Sequence, residues 1–276
     1  MDAVCQVCMH HCHLKPGQRG RCRARKNEGG EIVCANYGQV TSLNLDPVEK
    51  KPLRLFCPGG LILSVGSYGC NLSCPFCQNH EISMADEETA MFRYASPAEL
   101  VQRAEKYRLV GNIGIAFTYN EPLVGWEYVR DTAKLIHERG MKNVLVTNGS
   151  ASLSVLEALL PYVDAMNIDL KGFREEYYRK LGGDLDTVKA FIARADRDCH
   201  VELTTLIVPG ENDGLEEMEE EAAWIASVNA DIPLHVTRFF PRYRMTDRDA
   251  TDVRRVHALA DVARNRLKYV FVGNCG

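Results

Sequence analysis

The stretch GSYGCNLSCPFCQNHEIS, residues 66–83, carries Cys70, Cys74 and Cys77 in the spacing C-x3-C-x2-C. A tetrahedral metal site or a cubane cluster asks for four ligands, and this loop offers three thiols. Gly66, Gly69 and Pro75 let the chain wrap, and the close spacing suits a cubane, whose irons one short loop can reach. The alternative is a zinc loop completed by a remote fourth ligand, with His80 close by in sequence.

Outward from this loop, short β-rich runs alternate with helical patterns. LILSVGSYG (61–69) reads as a strand that ends in the cysteine loop. SPAELVQRAEKYRLV (96–110) reads as an amphipathic helix with Ser96 as N-cap, Pro97 behind it and Glu99 completing a capping box. Strands are expected at 112–120, 143–149, 165–172, 200–210, 233–242 and 269–273. Helices are expected near 123–139, 152–160, 173–195, 215–228 and 251–267. These make six successive strand-then-helix units with largely apolar strands, which predicts a parallel α/β sheet. Periodicity leaves a doubly wound sheet and a partial or full barrel both open. The stretch 1–58 differs in kind: cysteine- and glycine-rich, it reads as a small module ahead of a core at 59–276.

The chain has 276 residues, 46% hydrophobic and 25% charged, as expected of an enzyme with a sizeable core. A net charge of −4 argues against a long nucleic-acid footprint. No apolar run is long enough to cross a bilayer, and the amino terminus lacks the apolar segment of a signal peptide. Eleven cysteines are unusual, and most precede residue 78. Without an export signal they read as reduced thiols used for metal binding, in a cytoplasmic protein. Cys5, Cys8, Cys12 and Cys22 form C-x2-C-x3-C-x9-C, read first as a zinc site, with an auxiliary iron–sulfur cluster or no metal at all as the alternatives. Cys34, Cys57, Cys199 and Cys275 read as isolated thiols.

C-x3-C-x-Φ-C, with Phe76 as Φ, resembles the signature of the radical S-adenosylmethionine superfamily. The resemblance implies a partial (β/α)6 barrel, in agreement with the alternation above. It implies that three thiolates bind three irons of a [4Fe–4S] cluster while the amino and carboxylate groups of S-adenosylmethionine ligate the fourth. Phe76 would lie against the nucleoside. Glu121 in TYNEP stands where the family has the acid of Gly-Gly-Glu-Pro, which contacts the cofactor ammonium; Tyr119 and Asn120 replace the two glycines, and Asn120 is expected to contact the cofactor beside Glu121. Asn148 in VTNG is similar to the polar strand end near the ribose and methionine moieties. Asp169 and Lys171 in IDLKG match the Asp-Leu-Lys of pyruvate formate-lyase activating enzymes. There the lysine serves the cofactor carboxylate and the acid lies near substrate or a cation. Arg238 and His235 stand on the sixth strand as further contacts, His235 equally as an inward or capping histidine.

Independently, strand after strand ends in polar residues, and the carboxyl ends of barrel strands are where such folds build their sites. CQVCMHHCHLKPGQRGRCRARKNEGG, DPVEKKPL, CQNHEIS, TYNEP, LIVPGEND and RFFPRY together resemble the radical enzyme of the AmmeMemoRadiSam system, related to the pyruvate formate-lyase activating enzymes. That implies reductive cleavage of S-adenosylmethionine to a 5′-deoxyadenosyl radical that abstracts a substrate hydrogen. A flavodoxin or ferredoxin would supply the electron. A site on a partner protein, such as a backbone glycine, is the first expectation for the substrate. The alternatives are a radical enzyme acting on a small molecule or RNA base, and a structural zinc-binding interaction protein.

Overall fold

A computed structural model describes residues 1–276. The amino-terminal stretch forms two antiparallel ribbons, β1 (Ala3–Val4) with β2 (His13–Leu14) and β3 (Arg25–Glu28) with β4 (Glu31–Cys34). β5 (Gln39–Val40) later pairs with β8 (Arg93–Tyr94). The main sheet holds β6 (Ser42–Pro47), β7 (Leu61–Gly66), β9 (Asn112–Phe117), β10 (Lys142–Thr147), β11 (Ala165–Asp169), β12 (His200–Ile207), β13 (Leu234–Arg238) and β14 (Val270–Gly273). Its eight strands lie in the order β14-β13-β12-β11-β10-β9-β7-β6. All neighbours are parallel except β6, which runs antiparallel to β7 from Ser42 opposite Gly66 to Pro47 opposite Leu61. The two outer strands do not pair with each other, so the sheet is an open, partial barrel.

Helices α1 (His80–Ser83), α2 (Pro97–Lys106), α3 (Trp126–Glu138), α4 (Leu153–Leu159), α5 (Glu175–Leu181), α6 (Leu185–Ala195), α7 (Leu215–Asn229) and α8 (Val253–Arg264) return the chain between strands. The capping box is formed: Glu99 N donates to Ser96 Oγ at 3.3 Å, and Ser96 N to Glu99 Oε2 at 2.7 Å. The helices expected around 173–195 are two, divided where Gly182 adopts left-handed φ at α5's end and Asp184 caps α6.

Strand alternation divides the core. Leu63, Val65, Phe117, Leu145, Ile168, Leu203 and Val236 face the helices in a cluster of 46 buried residues. Ile62, Ala116, Val144 and Ala165 face inward, where Val48 and Leu53 from the β6–β7 connection plug the barrel's base. The strands are therefore less uniformly apolar than their sequences suggested, since inward positions on β11–β13 include Asn167, Glu202, Thr204 and His235, all buried.

Glu202 organises that base. Its Oε1 accepts from Leu55 N at 2.8 Å and meets His200 Nε2 at 2.9 Å, while Oε2 accepts from Arg54 N at 2.9 Å and meets His235 Nε2 at 2.6 Å. Burial alone would raise this carboxyl, but the two histidines and two backbone amides hold it down at about 2. A depressed carboxyl stabilises the fold above its ordinary value near 4.5, and that contribution disappears as pH falls towards 2. Glu202→Gln should therefore lower the unfolding free energy at pH 7 by on the order of 3 kcal/mol. Urea titrations should show the difference from wild type shrinking between pH 4.5 and 2; an unchanged acid limb would refute the assignment.

Candidate active site

The cysteine loop leaves the carboxyl end of β7. Gly69 takes φ +90°, and a β-carbon there would lie 2.5 Å from the Cys22 carbonyl oxygen, so the loop passes tightly beneath the amino-terminal module. Cys70 Sγ receives Leu72 N at 3.4 Å and Asn148 Nδ2 at 3.7 Å. Burial pushes Cys70 well up, with Glu121, Cys74 and Cys77 adding to the rise. Burial also pushes Cys74 up to about 11, against the pull of the Lys171 ammonium. Such thiols gain from a cationic partner, because burial penalises the bare thiolate. His80 is engaged elsewhere: its Nδ1 lies 3.3 Å from the Cys77 carbonyl oxygen and its ring stacks on Tyr243 at 4.3 Å. Three soft donors with N–H···S support and no fourth protein ligand in the loop fit a cluster with one open iron.

The next two strand ends close on this loop. Glu121 Oε1 accepts from Leu123 N at 3.0 Å and Thr147 Oγ1 at 2.7 Å, and its Oε2 accepts from Asn148 N at 2.8 Å. Burial nevertheless pushes its carboxyl up to about 7, so an arriving ammonium would favour the charged form. Asn148 Nδ2 also donates to Asn71 Oδ1 at 2.9 Å, joining the β10 end to the cysteine loop. Asn120 bonds backbone instead: its Oδ1 accepts from Ser67 N at 2.9 Å, and its Nδ2 donates to the Tyr68 and Gly69 carbonyls, each at 3.1 Å. It fastens the start of the cysteine loop to the TYNEP turn.

At the end of β11, Lys171 Nζ donates to Asp169 Oδ2 at 3.0 Å. Burial opposes the Lys171 charge, but Asp169 and Cys74 together raise its pKa overall. Phe76 is buried with Leu72, Cys74, Tyr177 and Phe239, meeting Phe239 edge-on at 6.4 Å. Cys70, Cys74, Cys77, Glu121, Asn148, Asp169 and Lys171 thus converge on one rim. Arg238 stands apart from that group, donating through Nε to the Thr251 carbonyl at 2.7 Å with its guanidinium over Phe240 at 4.9 Å. His235 belongs to the Glu202 cluster at the barrel's other end, because β13 carries it near its amino end.

A polar wall inside the barrel escaped sequence reasoning. Strand alternation turns Asn44, Asp46 and Ser64 inward. Lys51 Nζ, almost fully buried, donates to Asp46 Oδ2 at 2.9 Å and lies 4.9 Å from the Tyr119 ring centre. Tyr119 takes φ +73°, lies across Gly66, and donates through its hydroxyl to Asp46 Oδ2 at 2.9 Å. Burial would raise Asp46, yet Lys51 and Tyr119 hold it at about 2. Tyr119 therefore fills space beneath the site with an aromatic ring. The alternation of Leu43 and Leu45 with Asn44 and Asp46 was the available signal for this strand.

The amino-terminal module sits directly on the cysteine loop. His10 Nε2 lies 2.8 Å from the Asn71 carbonyl oxygen, Ser152 N donates to the Val7 carbonyl at 2.9 Å, and Cys8 bridges to Ala151. Arg25, buried, holds Glu127 of α3 through two hydrogen bonds of 2.6 and 2.8 Å. Cys5 N donates to the Cys12 carbonyl at 3.0 Å, and Cys5 and Cys12 both raise the Cys8 thiol, after burial and against its hydrogen bonds. Cys22 is pushed up to about 12, chiefly by burial. No three His, Cys, Asp or Glu side chains anywhere in the chain are gathered around one single-ion position.

The profile of the Radical SAM superfamily matches residues 64–225, and the chain belongs to that superfamily. The family implies a [4Fe–4S] cluster and S-adenosylmethionine as cofactors, and radical chemistry as the general reaction. The uncharacterised protein MJ0808 of Methanocaldococcus jannaschii is 37% identical over 273 residues, covering 98% of this chain and 80% of that protein. The GTP 3′,8-cyclase of Pseudomonas syringae pv. syringae is 28% identical over 59% of this chain and 49% of its own length. Pyruvate formate-lyase 1-activating enzyme of Escherichia coli K12 is 25% identical over 52% of this chain and 60% of its own. Among solved structures, a radical SAM methyltransferase from Sphaerobacter thermophilus superposes with a TM-score of 0.59 at 17% identity, covering 79% of this chain and 67% of that one. That likeness shows the fold. No helix is long and apolar enough to cross a membrane.

The lumen wall makes a stability prediction. Lys51→Met removes the buried ammonium from the Asp46 carboxylate, leaving it the exposed Lys50 at 3.5 Å, and should cost roughly 3 kcal/mol. Adding Asp46→Asn should recover most of that loss, measured as a double-mutant cycle in urea. Additive losses would mean that the two side chains act separately.

Proposed function

We propose that Cys70, Cys74 and Cys77 hold three irons of the cluster and leave the fourth to the amino and carboxylate groups of S-adenosylmethionine. The observation that carries this reading is the three-thiol loop without a fourth protein ligand, enclosed by Glu121, Asn148 and the Asp169–Lys171 pair. With both cofactors bound, the site supplies one-electron reduction of the sulfonium, cleavage to methionine, and a 5′-deoxyadenosyl radical that takes hydrogen from substrate. Glu121 receives the cofactor ammonium and Lys171 its carboxylate. Asn148 supports Cys70 and the ribose side, and Phe76 closes the nucleoside end. Asn120 acts by holding the loop. The buried setting excludes water from the reacting centre.

The reading is finer than the family alone. We propose, on the resemblance of the motifs quoted above, that the chain acts as a radical enzyme of the AmmeMemoRadiSam type. The likeness to a pyruvate formate-lyase activating enzyme, 25% identical over half the chain, supports a site on a partner protein as substrate. Reduction by a flavodoxin or ferredoxin belongs to the same reading. Cys5, Cys8, Cys12 and Cys22, which share the amino-terminal module without being gathered around one single-ion position, are proposed to take up zinc or an auxiliary cluster on metal loading.

Anaerobic reconstitution with iron and sulfide, followed by dithionite and S-adenosylmethionine, should release 5′-deoxyadenosine and methionine. Cys74→Ala should abolish release, and Cys8→Ala should lower the bound metal at the amino-terminal module. Failure of the wild-type protein to take up a cluster, or to release 5′-deoxyadenosine, would overturn the reading.

A further inference from the structure

Four arginines from three separate chain segments surround the outer side of the cysteine loop. Ser73, exposed between Cys70 and Cys74, donates through its backbone N to the Leu181 carbonyl at 2.9 Å, bringing the last turn of α5 with Arg179 against the loop. The Arg21 guanidinium lies over Gly182, beside the Ser73 hydroxyl. On the loop's other flank Arg244 N donates to the Pro75 carbonyl at 2.9 Å. Reciprocal backbone bonds between Arg242 and Met245, 3.1 and 2.9 Å, tighten that flank into a turn. Met245 anchors the turn among Leu72, Cys74 and Phe76, and Tyr243 stacks on His80. Arg242 and Arg244 are thereby held outward.

Arg21, Arg179, Arg242 and Arg244 are exposed, and none forms an ion pair within 4 Å. The acids Glu211 and Asp247 are already held by Lys180 and Arg248. On a chain of net charge −4, this unpaired positive collar is a local exception. It encircles the place where the Cys70–Cys77 loop itself reaches the surface, with Ser73 exposed and Pro75 half-buried above buried Cys74.

We infer that this collar is the docking surface for a small one-electron carrier protein with an acidic face. The inference rests on the cluster assignment proposed above. Redox encounters use small interfaces, and charge complementarity chiefly raises their association rate. Because the arginines are exposed, their attraction is screened within about 8–10 Å at physiological salt. One electron passes from the reduced carrier, which is oxidised, to the cluster, which is reduced.

The test uses reconstituted holoprotein and flavodoxin. Binding of oxidised flavodoxin should weaken at least tenfold between low salt and about 0.3 M salt. Arg21→Glu, Arg242→Glu and Arg244→Glu combined should weaken it similarly at low salt and slow reduction by flavodoxin hydroquinone to the same degree. Reduction by dithionite, which needs no docking, should be unchanged. The corresponding triple Arg→Gln variant should give a smaller loss in the same direction, and it decides the matter if charge reversal perturbs the loop. Salt-independent binding by the wild type, or variants that bind flavodoxin as the wild type does, would overturn the inference. So would a collar that captures single-stranded RNA, loses it on charge reversal and ignores flavodoxin. Wild-type protein that dithionite cannot reduce would instead break the cluster assignment, while the binding arm still reports on the collar.

Discussion

The Glu121 carboxylate is the tie on which the site depends. It collects a backbone amide from its own turn and a hydroxyl and an amide from the end of β10, all within 3.0 Å. That fixes Asn148, whose side chain reaches Cys70 Sγ and Asn71. A buried carboxylate without such donors would be costly, so the fold commits three hydrogen bonds to placing one acid. The parallel register does the rest. Adjacent strands end at the same level, and their terminal side chains meet the cysteine loop on one rim.

The opposite end of the barrel is organised with equal care by different means. Glu202, two histidines and the backbone of Arg54 and Leu55 seal the base, and the Asp46–Lys51–Tyr119 group lines one inner wall. The amino-terminal module holds the cysteine loop from outside, through His10, the Cys22 carbonyl above Gly69 and the Arg25–Glu127 pair. The loop is thus fixed from the barrel side and from the module side, while its outer surface, ringed by arginines, stays open.

Much of this was legible in the residues. The strand-then-helix alternation and the capping box at Ser96 and Glu99 marked the parallel sheet, and the cysteine spacing marked its site. What periodicity missed was short or inward-facing. Residues 42–47 fall within the stretch 1–58 read as a separate module, yet β6 pairs with β7 and belongs to the main sheet, although Asn44, Asp46 and Pro47 are poor strand formers. His235 reads equally as a sixth-strand contact or an inward histidine, and the structure gives the inward one: near the start of β13 it points to Glu202 at the base. Asn120 was read as a cofactor contact from its neighbour Glu121, while its amide holds backbone. Asn71 carried no signal beyond lying between two cysteines.

The central claim is that one iron of a cluster held by Cys70, Cys74 and Cys77 is left for the cofactor. Electron paramagnetic resonance of the reduced, reconstituted Cys8→Ala protein, with and without S-adenosylmethionine, tests this most directly. The account predicts a [4Fe–4S]+ signal whose shape shifts when the cofactor is added. A signal indifferent to the cofactor, or zinc in place of iron at the loop, would contradict it.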